Sequence, residues 1–274
     1  MRFEPKLPDD RVNVSVMHPA RDAVVLVIGV LGVAIVFVVA LSVLVDVLVP
    51  YFPSTIETKI FSVIDFDGDE VDSDDRDPRH DYVQLLVNRL AGHWEENPYA
   101  ISISILDQPA PNAFAYPGGR IVITSGLLDS VTSESEMAFV LGHEIGHFNH
   151  RDHLRGLGRG LAIAFALSAL SQSGAGGVVD LLTGATGMTS RHFDRQQETA
   201  ADEIGLELVW LEYGHVSGAT DFFDHLSHSS GKIEKQFQSY LATHPVHSDR
   251  IEALRRLADT SGWRRDGATE ALAF

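Results

Sequence analysis

The chain has no cysteine among its 274 residues. That excludes disulfides, thiolate-ligated zinc and a thiol nucleophile, so any metal ion must be held by histidine and carboxylate. It leaves the compartment open, because an oxidising environment permits disulfides without requiring them. Basic residues are also scarce: 21 Lys and Arg face 38 Asp and Glu, for a net charge of −17. With no basic stripe to neutralise phosphates, the composition argues against a nucleic-acid partner. No internal repeat or low-complexity tract is evident. What the chain does have is 45% apolar residues and room for one medium domain plus an appendage.

The appendage comes first. Residues 1–22 form a polar tail containing Pro5, Pro8 and Pro19, and residues 23–49 are almost wholly apolar, broken only by Asp46 near the far end. About 20 such residues already span the hydrocarbon of a bilayer, so 23–49 reads as a transmembrane helix in contact with lipid. A cleavable signal would have a shorter apolar core; Ala40-Leu41-Ser42, the small-residue candidate for cleavage, is buried inside the run. Arg2, Lys6, Arg11 and Arg21 precede the span, and only Lys59 follows closely. This asymmetry places the N-terminus in the cytoplasm and the rest of the chain outside it. Residues 50–80 read as an acidic linker with a dense run over 65–77, where the glycine and the missing twelfth-position Glu do not suit an EF-hand loop.

Beyond the linker, Val83, Leu86, Val87 and Leu90 recur at helical spacing over 81–94. Alternation predicts a strand over 100–106 and another over 120–124. The segment Asn112-Ala113-Phe114-Ala115, ahead of Pro117, belongs at a sheet edge, because proline has no place in a central strand. An edge of that kind can take up an extended peptide, although a plain hairpin turn explains the spacing equally simply. Residues 161–170 are apolar but short for a span, and read as a buried or interfacial segment.

The chemistry is concentrated in His143-Glu144-Ile145-Gly146-His147, within a helix expected over 134–150. Ser133 and Glu136 predict a capping box, and Met137, Leu141, Ile145 and Phe148 an inward face. Histidines four apart on a helix share one face and can reach one zinc ion, with Glu144 beside them as general base. A third ligand must come from elsewhere. Glu198 and Asp202, again four apart, offer a zinc ligand and a partner for a ligand histidine's second nitrogen. Small neighbours Ala200, Ala201 and Gly205 would let the two helices approach closely. A final helix is expected over 249–258, capped by Ser248, with a loose tail at 259–274.

The chain resembles peptidase family M48 of zinc metallopeptidases, related to the membrane proteases of Ste24 and HtpX type. The resemblance rests on N-A-F-x-x-P-G-G at 112–119, I-x-x-T-S-G-L-L at 121–128, the zinc motif, E-x-x-A-D at 198–202, and T-H-P at 243–245 followed by Arg250-Ile251. It implies His143, His147 and Glu198 as ligands of one zinc ion and Glu144 as general base. It also implies His244 near the metal, as a transition-state hydrogen-bond donor or a fourth ligand at rest. Arg250 is expected either to pair with an active-site carboxylate, to polarise a substrate carbonyl, or to lie on a helix surface. His150, His153, His192, His215, His225, His228 and His247 have no spacing that demands a metal.

The implied fold is α+β: a mainly helical zincin-like (gluzincin) domain with a small β-sheet over 81–258, behind one N-terminal transmembrane helix. A single clear span, unlike the relatives with several, speaks against prenyl-peptide processing and for cleavage of exposed or misfolded protein. The rival reading is a zinc-stabilised membrane adaptor or chaperone that binds protein segments without cutting them. Oligomeric state has no sequence signature here.

Overall fold

A computed structural model describes residues 18–61, 77–171, 193–221, 223, 238–245 and 248–273. Most of the acidic run, all but the end of the N-terminal tail, and His192, His225, His228 and His247 lie outside the described residues.

Helix α1, Pro19–Leu48, opens with proline in its first turn, where the missing N–H costs nothing. Its 30 residues reach about 45 Å, more than the ~30 Å of bilayer hydrocarbon, and none of its side chains is buried. A single tight turn, Val49–Tyr51, leads to α2, Ser54–Phe61. Here the linker expectation gives way. Glu57 of α2 is fully buried, receiving the Tyr99 hydroxyl at 2.8 Å, the Gly118 N–H at 2.9 Å and the His153 ring at 2.8 Å. Burial opposes its charge, but the bond and charge of His153, with the Gly118 and Tyr99 donors, hold the carboxyl below its usual range. The segment after α1 is therefore bolted to the domain, a contact that charge density alone could not reveal.

Helix α3, His80–Gly92, precedes β1 (Ser102–Leu106), β2 (Ala113–Tyr116) and β3 (Arg120–Thr124), in spatial order β1-β3-β2. β1 runs parallel to β3, and β2 antiparallel to it. The β2–β3 turn places Gly118 and Gly119 at φ 92° and 90°, a region that side chains disfavour. β2 is an edge strand, as Pro117 requires. Its Ala113 and Ala115 face the main core, whereas Phe114 and Tyr116 meet Phe61 of α2 on the other face.

Helix α4, Ser125–Ser130, leads into α5, Glu134–Asn149. Ser133 caps α5 by accepting the Glu136 N–H, but the Glu136 carboxylate reaches back one residue further than expected, to the N–H and hydroxyl of Thr132. Nor is α5 amphipathic. Every residue from Glu134 to Phe148 is buried, because α3, the sheet, α6 (Asp152–Ser171) and α7 (Arg195–Tyr213) surround it. The charged Glu134 at its start is held by Arg89 at 2.8 Å, the Tyr213 hydroxyl at 2.7 Å and the Tyr82 hydroxyl.

Helix α7 begins with a reciprocal capping box between Asp194 and Gln197 and crosses α5 at backbone distance. A Cβ built on Gly146 would lie 2.7 Å from the Cα of Ala201, and one on Gly142 would lie 3.0 Å from the Cα of Gly205. Ala201 and Gly205 thus permit the approach, as expected, and the glycines of α5 complete it. Helix α8, Gln238–Thr243, and α9, Ser248–Ser261, finish the described helices. The C-terminal tail is not loose. Val216 N–H bonds Arg264 O at 2.8 Å and Glu134 N–H bonds Glu270 O at 2.9 Å, which closes the tail over the start of α5.

Gly146→Ala should therefore push α7 away from α5 and destabilise the domain by about 1–3 kcal/mol, the usual cost of overpacking. The check is a drop in thermal midpoint for that variant, with no comparable drop for Gly92→Ala, whose Cβ would meet nothing within 4 Å.

Candidate metal centre

The contact between α5 and α7 brings four side chains to one point. His143 and His147 from α5, Glu198 from α7 and His244 from the end of α8 are all buried, and one ligating atom from each lies within 4.8 Å of the others. Nε2 of His143 is 3.1 Å from Nε2 of His147 and 3.1 Å from Nδ1 of His244. Oε1 of Glu198 lies 3.5 Å from His147 Nε2 and 3.1 Å from His244 Nδ1.

The far side of each ring sets which nitrogens carry protons. His143 donates from Nδ1 to Asp202 Oδ1 at 2.8 Å, and His147 from Nδ1 to Asp152 Oδ2 at 3.1 Å. His244 Nε2 is 3.3 Å from the Ala113 carbonyl, to which it donates. The three inward nitrogens are then lone pairs aimed at one another, beside a carboxylate. A proton relieves one such pair; a cation at the centre relieves all of them. Tetrahedral zinc with ligand atoms about 2.0–2.1 Å away separates those atoms by roughly 3.3–3.4 Å, close to the spacings seen. The residues fit a divalent ion.

The titration pattern agrees. Burial disfavours a charged His147, but its hydrogen bonds to Asp152 and Glu198, with the charges of Glu198 and Glu144, push the ring up to about 10. At His143 burial prevails and the pKa is lowered. One proton is thus retained where a dication fits. Glu198 is held well below the carboxylate range: burial raises it, but the charges of His244 and His143 outweigh that. Asp202 is lowered too, against burial, by the charge of Arg250 and bonds from Arg250 and His143.

Arg250 proves to be a buried clamp, with Nε and Nη2 each 2.7 Å from Asp202. Its Nη1 lies 2.7 Å from Glu198 Oε2, an ion pair without hydrogen-bond alignment. Of the roles open to it, pairing with active-site carboxylates is the one the geometry supports. Glu144 stands apart from this network. Both its oxygens are buried without a hydrogen-bond partner among the described residues, the nearer 3.5 Å from His244 Nε2.

Asp152 escaped the sequence reading. It orients His147 as Asp202 orients His143, and is itself held by Gln197 Nε2 at 2.6 Å. Its one local signal is its place five residues beyond His147, after a turn in which Arg151 takes a left-handed φ of 56°. Phe193, stacked on His147 at 3.9 Å, and Tyr240, stacked on His244 at 4.8 Å, carried no signal at all. His150, His153 and His215 bond elsewhere, to Gly146 O, Glu57 and Ala268 O. Asn112 lies beside the centre and locks its own strand, accepting the Ala113 N–H at 3.0 Å.

Two histidines one helical turn apart, a glutamate from a second helix and a third histidine, with a buried carboxylate beside them, make a site that fits a divalent ion on a mainly helical α+β scaffold. The model of peptidase family M48 matches residues 78–258, more than half of the chain, and the chain belongs to that family. It is 28% identical over 204 residues to metalloendopeptidase OMA1, mitochondrial, of Danio rerio, covering 66% of this chain and 41% of that protein. To the mitochondrial metalloendopeptidase OMA1 of Arabidopsis thaliana it is 31% identical over 153 residues, 56% of this chain and 30% of the relative. To the beta-barrel assembly-enhancing protease of Yersinia pestis it is 28% identical over 190 residues, 65% and 38%. The chain thus spans less than half the length of these relatives.

If Asp152 fixes the His147 tautomer, Asp152→Asn should weaken zinc binding about 10–100-fold, the usual cost of removing such a partner, without unfolding the protein. Chelator competition measures it.

Proposed function

We propose that the protein is a membrane-anchored zinc metalloendopeptidase that hydrolyses peptide bonds in exposed or misfolded segments of other proteins. Its N-terminus lies in the cytoplasm and its catalytic domain outside, as the excess of Lys and Arg ahead of the span supports. The observation that carries the reading is the Glu144 carboxylate, buried beside the His143, His147, Glu198 and His244 cluster with no protein donor among the described residues. A buried structural carboxylate is normally supplied with donors, whereas a group that moves protons has to be left free. The adaptor or chaperone alternative leaves that carboxylate unexplained. Relatives named as metalloendopeptidases support the same activity.

His143, His147 and Glu198 would hold zinc, which would supply a Lewis acid for the scissile carbonyl and lower the pKa of water to about 7. Glu144 takes the proton of the attacking water and returns it to the amine nitrogen as the C–N bond breaks. His244, with Nδ1 turned to the same cluster, would serve as a further ligand at rest or as a hydrogen-bond donor to the oxyanion. Asp202, Asp152 and Arg250 hold the ligands in place.

The substrate is received by the β2 edge. The Thr124 N–H bonds Asn112 O, so pairing with β3 alternates, and Ala113 and Ala115 turn their backbone groups away from β3, although both residues are fully buried. At Ala113 these groups are already engaged by the Asn112 side chain and by His244. An incoming strand therefore has to uncover Ala115 before pairing there, and in completing the ladder takes the Ala113 carbonyl from His244.

Glu144→Gln should keep its zinc and lose about 10²–10⁴-fold in cleavage of an unfolded substrate such as casein, the span for general acid–base groups. Undiminished cleavage by a pure preparation would refute the assignment.

A further inference from the structure

Helix α6 changes character along its length. Its first half is basic, and arginines at every fourth position grip the far end of α1. Arg151, just ahead of α6, bonds the carbonyls of Val49 and Phe52; Arg155 lies 3.4 Å and Arg159 3.0 Å from Asp46 Oδ1. Beyond Arg159 the helix is apolar and runs back along α1, antiparallel to it. A Cβ on Gly158 would touch Val45, and the ring of Phe165 lies 6.0 Å from that of Phe37. From Asp46 to Phe37 is nine residues, or about 14 Å of helix.

The apolar half is inverted relative to a soluble helix. Ala162 and Ala166 are covered, whereas Ile163, Phe165 and Leu167 are 49%, 57% and 59% exposed. They continue the exposed apolar surface of α1, and an apolar groove of about 710 Å³ runs between the two helices beside Phe37 and Phe165. Water would make this surface costly; hydrocarbon would not.

We propose that residues 161–167 of α6 are immersed in the bilayer beside α1, in the leaflet facing the catalytic domain, with lipid acyl chains covering Ile163, Phe165 and Leu167. The arginine ladder and Asp46 mark the water boundary, since such groups are costly deeper in hydrocarbon. Asp152, the partner of His147, is the first residue of this same helix, so the metal centre and the immersed segment share one rigid element.

The absence of native cysteine makes the test direct. Single-cysteine variants at Ile163, Phe165 and Leu167 are prepared in the full chain, with Val36 on α1 as the lipid control and Glu203 on α7 as the water control. Each is reconstituted in phosphatidylcholine vesicles. An environment-sensitive fluorophore at the three α6 positions should emit to the blue of Glu203→Cys and be quenched by spin-labelled acyl chains, as at Val36→Cys. A charged thiol reagent should react with them at least tenfold more slowly than with Glu203→Cys. Fast reaction without quenching would overturn the proposal and leave the segment in water. Slow reaction without quenching would overturn it in favour of a second copy of the chain on this face. No quenching at Val36→Cys would remove the span itself and the proposal with it.

Discussion

Everything in the domain depends on two helices meeting at backbone distance. Where α5 crosses α7, Gly146 faces Ala201 and Gly142 faces Gly205, and no side chain larger than a methyl group stands between them. At that crossing the Glu198 carboxylate lies 3.7 Å from Nε2 of His143 and 3.5 Å from Nε2 of His147. The crossing also buries the site, and burial makes its electrostatics consequential.

Four carboxylates, Glu144, Glu198, Asp152 and Asp202, lie in this interior, and Arg250 is the buried guanidinium that clamps two of them. Isolated buried charges cost several kcal/mol each unless paired, so the arrangement needs more positive charge than Arg250 supplies. A dication among the inward lone pairs would provide it. The same need explains why His147 retains its proton to high pH when only protein groups surround it, and why the ligands are so fully tied from behind. Glu144 is excluded from that tying. That leaves a buried carboxylate beside the cluster, as the proposed role in proton transfer requires.

Much of this was legible in the residues, because it is local. Histidines four apart, a glutamate and an aspartate four apart, small residues on the second helix and a proline-marked edge strand all express periodicity, and periodicity survives in one dimension. What escaped is what only the third dimension supplies. Asp152 is an ordinary acidic residue until the turn after α5 brings it under His147. Glu57 looks like one more acid in an acidic stretch until α2 folds it against Tyr99, His153 and Gly118. Residues 264–273 have no helical or strand pattern, so nothing announced that they would seal the start of α5. The inward stripe read on α5 was correct as far as it went, but a helix enclosed on every side has no outward face to contrast with it.

The central claim is that one metal ion is held jointly by α5 and α7. Zinc stoichiometry of the purified protein, compared with that of Glu198→Ala, tests it most directly. The account predicts one zinc ion per chain in the parent, and substoichiometric, easily dialysed zinc in the variant. A variant that keeps a full equivalent through dialysis, or a parent that binds none, would contradict it.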